Sequence, residues 1–366
     1  MELYVISYPS ILLTVGLAIA PAIDTALAVE PQLIVEDNDF MGPGGTNIQS
    51  AMMLIGNSDV HVLGFTVVTG DGWRDEEVAH LLRFLEIAKR TDIPVVPGAL
   101  VPLVNSRPRM LVWEKSYGEV LWKGAWGEVT PTGKPAHPTE PFKVPPQAEG
   151  APTIKAGGIA ADFLIEQVHR YPHEVTILAA GPLTNIALAI RLDPAFATLA
   201  KELVFNGALI GTSLNLSDAG SKSLFAYDFN IRFDPEAAHI VLTAPWRKIT
   251  AVGDVTLDTM MTPQLIERLA SKDTPVTRYL KTYAVHLPLW DELTAAIAVD
   301  PSLVTEHAEV FMDVNTDHGA DYGTVHIWPD NLAPHLGEQK VSIVQRANID
   351  RFMEEFIQAA QSSVRQ

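Results

Sequence analysis

The stretch from Leu33 to Leu54, LIVEDNDFMGPGGTNIQSAMML, constrains the chain most, because an apolar run drives straight into acids and then into a glycine-rich turn. Leu33, Ile34 and Val35 read as a buried strand, with Glu36, Asp37 and Asp39 at its far end. Gly42 to Gly45 supply a turn, and from Ile48 the spacing Ile-x-x-Ala-Met-Met-Leu suits a helix entering against a core. In an open parallel sheet such a loop lies at the carboxyl end of its strand, where these folds put their ligands. Carboxylates concentrated there invite a cation, a hydroxyl-rich ligand, or both. The glycines do not make a nucleotide fingerprint. Gly42-Pro43-Gly44-Gly45-Thr46-Asn47 lacks the third glycine of the dinucleotide motif and the Gly-Lys-Ser/Thr ending of a phosphate loop. A surface turn with solvated acids is the plainer alternative on these residues alone.

The same unit repeats. A β-branched run, His61 to Thr69, ends at Gly70-Asp71-Gly72, and Glu76 to Lys89 has its apolar residues at helical spacing. Ile93 to Val96, Val175 to Ala179, Glu202 to Phe205 and Lys248 to Val252 read as further strands, with helices at Gly158 to His169, Ile186 to Arg191 and from Asp234 onward. Alternating strands and helices predict an α/β fold, an open and mainly parallel sheet flanked by helices. Asp39, Asp71, Asn206 and Asp254 each follow a strand closely, a bias that independent surface acids have no reason to show. Between Pro97 and Pro152 the pattern fails, and Trp113, Trp122 and Trp126 gather in a stretch that reads as a functional or mobile loop. These indoles read as a satellite hydrophobic cluster or as stacking surfaces for a ligand. Leu287 to Val299 reads as a helix starting at Trp290-Asp291, where Asp291 alone needs no role beyond a helix-dipole partner. Val310 to Val314 and Thr324 to Ile327 read as strands, Ile349 to Ala360 as a closing amphipathic helix, and the scattered His318 and His326 as structural or solvated.

With 366 residues, 47% of them hydrophobic, the chain can bury a large core. A formal charge of -18 opposes nucleic acid and anionic membranes as partners and leaves cations and neutral polar molecules. No cysteine is present, which excludes disulfides, thiolate metal sites and a cysteine nucleophile. Residues 1–28 read as a signal peptide: an apolar run from Ile6 to Ile23 precedes a small-x-small site at Ala26-Leu27-Ala28, although Glu2 stands where a basic residue is usual. Export to a secreted or periplasmic location is then expected, with residues 29–366 forming a single domain.

Several blocks occur in one order: Asp37-Asn38-Asp39, Ala180-Gly181-Pro182-Leu183-Thr184-Asn185, Asp228-Phe229-Asn230-Ile231 with Asp234-Pro235-Glu236-Ala237-Ala238, and Trp290-Asp291-Glu292-Leu293-Thr294-Ala295-Ala296. In these the chain resembles the nucleoside hydrolases of the inosine-uridine-preferring superfamily, from about Leu33 to the C-terminus. The Trp-Asp pair is similar to the purine-specific, inosine-adenosine-guanosine-preferring branch, since other branches usually carry histidine at the position of Trp290. The resemblance implies a Rossmann-like nucleoside hydrolase fold and a calcium ion at the carboxyl edge of the sheet. Asp39 would be metal ligand and catalytic base, Asp291 a further ligand, and Ala180 the donor of a backbone carbonyl. Asp228 and Asn230 would grip the ribose, with Asp37, Asp71, Asn206 and Asn215 as further substrate contacts. Trp290, and Trp113 from the loop, would stack on a purine.

One departure matters. The family usually has Asp-x-Asp-Pro-Gly-x-Asp-Asp, whereas here Asp39 is followed by an insertion through Gly45 and then Thr46-Asn47. Asn47 offers a metal one neutral oxygen where a carboxylate is usual, so weaker calcium binding is expected. The resemblance implies hydrolysis of the N-glycosidic bond of purine ribonucleosides by a metal-bound water that Asp39 activates. The alternative is a secreted nucleoside- or ribose-binding protein that lost turnover with the second acidic pair. A small-molecule nucleoside is the expected partner in either case, and the sequence leaves room for a homo-oligomer.

Overall fold

Successive side chains of a strand point to opposite faces, and the first strand divides its residues between two cores in that way. In β1 (Gln32–Asn38), Ile34 packs into one hydrophobic core and Val35 into the other, on opposite faces of the sheet. The alternation therefore sends Glu36 and Asn38 toward the first face and Asp37 toward the second. A strand covered on both faces reads as a continuous apolar run, as this one does until its acids. The structure is a computed structural model, and it describes residues 1–2, 30–120, 122–127, 141–208 and 228–362. The signal-peptide reading falls almost wholly outside these residues, as does Asn215.

In chain order, α1 (Thr46–Ile55), β2 (Val60–Val67), α2 (Arg74–Ile87) and β3 (Val95–Pro97) follow β1. Next come α3 (Arg107–Tyr117), α4 (Ala160–Arg170), β4 (Val175–Ala179), α5 (Thr184–Leu192), α6 (Phe196–Leu199) and β5 (Glu202–Asn206). Then α7 (Phe229–Phe233), α8 (Pro235–Leu242), β6 (Ile249–Val252), α9 (Pro263–Leu269), α10 (Pro275–Tyr283) and α11 (Trp290–Val299) lead to the closing elements. These are β7 (Val304–Val314), β8 (Val325–Trp328), β9 (Gln339–Ala347) and α12 (Ile349–Ser362). The strands form one sheet in the order β3-β2-β1-β4-β5-β6-β9-β7-β8. It is parallel from β3 to β9, and β7 then pairs antiparallel with both β9 and β8. The α/β architecture expected from the sequence is therefore the observed one, within a compact unit spanning Pro31–Gln366.

Several features depart from the sequence reading, short α6 and α7 among them. Helix α3 lies in the stretch read as a loop, with Ser106 capping its N-terminus and only Met110 and Trp113 buried, too narrow an apolar stripe to stand out. Strand β9 is absent from that reading although Val341, Ile343 and Val344 are buried, and it joins β6 to the antiparallel pair. Helices α9 and α10 are absent from it too. Each starts with a threonine cap followed by proline, a pairing that pre-forms the first turn.

Candidate active site

The order β3-β2-β1-β4-β5-β6 reverses direction between β1 and β4, and the crevice outside the carboxyl ends at such a reversal is where open sheets bind ligands. Asp39 leaves β1 at that point and Ala180 leaves β4 beside it. Asn206 is the last residue of β5, Asp71 follows β2, and Asp291 enters from the first turn of α11. Asp254 opens a turn beyond β6, further along the same edge.

Asp39 is buried and fully hydrogen-bonded. Its Oδ1 accepts from Asn47 Nδ2 at 2.9 Å and its Oδ2 from the Asp71 backbone N–H at 2.7 Å. Two glycines make this close approach feasible. A Cβ at Gly70 would stand 2.0 Å from Asp39 Oδ2, and one at Gly181 would stand 2.7 Å from the Asp39 nitrogen. Asp291 accepts from Asn206 Nδ2 at 2.6 Å and from Asn38 Nδ2 at 3.1 Å. Asn230 donates to the Ala180 carbonyl at 2.8 Å and to the Asn206 carbonyl at 3.3 Å, so loops after β4, β5 and the start of α7 are tied together. Asp228 caps α7 through the Ile231 N–H. Asp37 points to the other face, as the alternation requires, and accepts from Asn185 at 2.8 Å.

Several partners of this network are not singled out by the sequence. Glu77 on α2 is fully buried and accepts from the Gly72 N–H at 2.7 Å, which braces the turn that holds Asp71. Glu292 accepts from Thr46 Oγ1 at 2.5 Å, and Thr46 Oγ1 in turn accepts from the Asp291 N–H at 2.9 Å. Glu36 takes hydrogen bonds from Ser50 and Asn38. Glu36 and Glu292 are neighbours in sequence of acids already suspected, whereas Glu77 shows no signal beyond a charged helical face.

Burial crowds these carboxyls. Desolvation raises Asp39 well above the ordinary carboxylate range, and the charges of Asp71 and Asp291 raise it further. Desolvation lifts Asp291 to about 7 and Asp37 to about 7 against the hydrogen bonds they accept, and Glu36 to about 8. Glu77 and Glu292 are raised for the same reason. Among the described residues neither Asp39 nor Asp291 has a lysine or arginine partner, so none of these residues offsets the charge the two carboxyls carry once ionised.

That charge and the all-oxygen donor set fit a hard divalent cation. Among the described residues no three acidic or histidine side chains converge to hold an ion by themselves. Asp39 and Asp291 are the charged candidates, and the Ala180 carbonyl and the Asn47 amide are neutral ones. Asn47 presents its amide nitrogen to Asp39, and so serves Asp39 as a hydrogen-bond donor here.

Aromatic residues build a cavity of about 450 Å³ beside this edge. Trp122 lines it and donates its indole N–H to Asp71, while Phe229 lines it next to Asp228. Trp113 also forms a wall, its indole N–H bonded to the Gly319 carbonyl at 2.8 Å and its ring covered by the Arg232 guanidinium 4.0 Å away. It belongs with Trp73, Met110, Trp126, Phe233 and Tyr322 to a third hydrophobic cluster, which matches the satellite-cluster reading for Trp113 and Trp126. Trp290 does not line this cavity. It is half-buried at the start of α11, and its indole nitrogen has no hydrogen-bond partner among the described residues.

Fold and edge together define an α/β protein with an oxygen-lined, carboxyl-rich site at the topological reversal of its sheet, suited to a hydroxyl-rich ligand. The family described as inosine-uridine preferring nucleoside hydrolase matches residues 35–354, and the chain belongs to that family of enzymes, nucleoside N-ribohydrolases that cleave the N-glycosidic bond of nucleosides. Among curated relatives, the inosine-uridine preferring nucleoside hydrolase of Crithidia fasciculata is 28% identical over 75% of this chain and 81% of its own length. The Arabidopsis thaliana protein named "Probable uridine nucleosidase 2" is 31% identical over 74% of this chain and 79% of its own. The fold is similar to that of a plant nucleoside hydrolase, with a TM-score of 0.68 and 24% identity over 91% of this chain and 99% of that one.

Proposed function

We propose that the chain hydrolyses purine ribonucleosides to ribose and free base, with Asp39 as the base that takes a proton from the attacking water. The observation that carries this reading is the convergence of Asp39, Asp291, Asn206, Asn230 and the Ala180 carbonyl from five separate elements on one crevice. Breaking the bond from C1′ to nitrogen develops positive charge on the sugar, and a crevice with unbalanced carboxylates favours that charge. Calcium bound by Asp39, Asp291, Ala180 and Asn47 would make a water more acidic and offer sites to ribose hydroxyls. Asp228, Asn230 and Asn206 hold the sugar in place, which turns binding into orientation at C1′. Trp290, the first residue of α11 and next to Asp291, would offer an indole face to a base held at the edge of the crevice, and stacking favours the larger overlap of a purine. Relatives carry the words inosine-uridine and uridine in their names, so the preference for purines rests on Trp290 and the aromatic cavity alone. Free ribose measured after incubation with inosine, adenosine and uridine, with and without a chelator, tests the reading. Ribose release from none of them, with binding retained, would replace it by a non-catalytic nucleoside-binding role, and release unaffected by the chelator would remove the cation.

A further inference from the structure

The aromatic cavity ends in a polar pair that the reaction described so far does not use. Its inner side reaches the site through Trp122, bonded to Asp71, and Phe229, next to Asp228. Arg109 of α3 and His318 of the loop between β7 and β8 line the same cavity. Arg109 Nη1 lies 3.0 Å from His318 Nε2. A guanidinium has only donors, so Nε2 is the acceptor and the neutral imidazole carries its proton on Nδ1. Arg109 uses one of its five N–H groups in this contact. The imidazole is steadied by the Tyr322 ring, centroid to centroid 4.3 Å, and Tyr322 is itself fixed by hydrogen bonds from its hydroxyl to both Glu236 oxygens. The Gly319 carbonyl, bonded to Trp113, holds the loop against α3. The cavity thus offers aromatic walls next to the ribose site, together with two groups that present donors and, at Arg109, a permanent positive charge.

We propose that Arg109 and His318 determine base specificity by donating hydrogen bonds to an edge with two adjacent acceptors, as in N7 and O6 of a 6-oxopurine. The assignment rests on the nucleoside hydrolase reading above. Adenine presents one acceptor and one donor on that edge, and its amino group would face a donor. Uracil has a single ring and lacks the N7 and O6 edge altogether. As the C1′–N bond breaks, its electron pair passes to the base. The added charge strengthens hydrogen bonds from Arg109 and His318, and solvent supplies the proton that leaves the base neutral. A site built from donors rejects an edge that leaves them unpaired more strongly than it would reject a change of size.

Arg109→Ala and His318→Ala test this through kcat/KM on inosine, guanosine, adenosine and uridine, with a thermal melt of each variant. The expected result is a loss of about tenfold or more on inosine and guanosine against threefold or less on adenosine and uridine. Equal losses on all four, or no loss, in a variant that melts like the parent would overturn the specificity role and leave the hydrolase reading intact. Should Arg109→Ala not fold, Arg109→Lys keeps the charge and loses the planar fork, and an unchanged inosine-to-adenosine ratio there would overturn the proposal. Should the parent release ribose from no nucleoside, the hydrolase reading falls, and calorimetric binding of inosine and adenosine to the same variants decides the role of the pair by the same ratio.

Discussion

Gly70→Ala separates placement of Asp39 from its mere presence. Added at Gly70, a Cβ would stand 2.0 Å from Asp39 Oδ2, 2.6 Å from its Cγ and 2.7 Å from its Cβ. Rotation of the carboxylate relieves only the first two contacts, because the Asp39 Cβ is fixed by the backbone. Even the tightest real contact, 3.0 Å, requires the oxygen to retreat by about 1 Å. The glycine turn cannot yield instead. Gly70 N–H donates to the Gly72 carbonyl at 3.1 Å and the Gly70 carbonyl accepts from Ala125 at 2.8 Å. A misplacement of about 1 Å at a reacting group costs on the order of a hundredfold in rate, while overpacking costs about 1–3 kcal/mol of stability. Gly70→Ala is therefore expected to melt a few degrees lower and to release ribose from inosine about a hundredfold more slowly. Gly157→Ala, whose Cβ meets nothing within 4 Å, is the control for adding a methyl group at a glycine. A folded Gly70→Ala protein within threefold of the parent would refute the claim that this contact fixes Asp39.

Asp39→Ala should lower turnover by a hundredfold or more in a protein that still melts cooperatively, and near-parent ribose release would end its role as base. Asn47→Asp sets a carboxylate against Asp39 Oδ1, now 2.9 Å from the Asn47 amide, so the variant should melt lower in chelator and bind calcium more tightly by calorimetry. Unchanged calcium affinity would show that Asn47 stands outside the shell. Burial holds Asp291 at about 7 against an ordinary 3.8, so the folded state keeps a proton that the unfolded chain has released, and stability in chelator should fall as pH rises from about 4 to about 7. That gap amounts to about 4 kcal/mol for Asp291 alone, and chemical denaturation that gave flat or rising stability over this range would contradict it. Trp290→Ala should reduce kcat/KM on inosine more than on uridine, and equal losses with a lowered melt would return Trp290 to a packing role.

The strand-and-acid grammar is legible because local chemistry writes it. Apolar runs that stop at Asp39, Asp71 and Asn206 come from a parallel sheet buried on both faces, and nothing but sequence is needed to see them. Glu77, by contrast, lies on a helix from which the sequence shows only an apolar spacing, and the packing of α2 beneath the Gly70 turn is what brings it into the site. The cavity is illegible for the same reason. Its walls come from α3, from Trp122 and Trp126, from α7 and from the loop after β7, stretches about two hundred residues apart that share no motif. His318 reads as structural or solvated because one histidine has no periodicity, and its meaning appears only with Arg109 beside it.

The departure at Thr46 and Asn47 looks like a loss when read along the chain, but in space it is matched. Thr46 Oγ1 both accepts from the Asp291 N–H and donates to Glu292, so a hydroxyl does at once what neither a carboxylate nor an amide nitrogen can do. An aspartate at 46 would face the buried Glu292 at hydrogen-bond distance, acid against acid, and one of the two would have to stay protonated. Threonine removes that conflict and fixes the first turn of α11, which carries Asp291. Asn47 does the equivalent at β1, giving Asp39 a donor where a second carboxylate would repel it. The pair thus exchanges charge for orientation: Asn47 holds the Asp39 carboxylate as a neutral donor, and Thr46 holds the backbone of Asp291 as a neutral acceptor. The expected consequence is an Asp39 already in place without calcium, at the cost of the affinity that another carboxylate would have supplied.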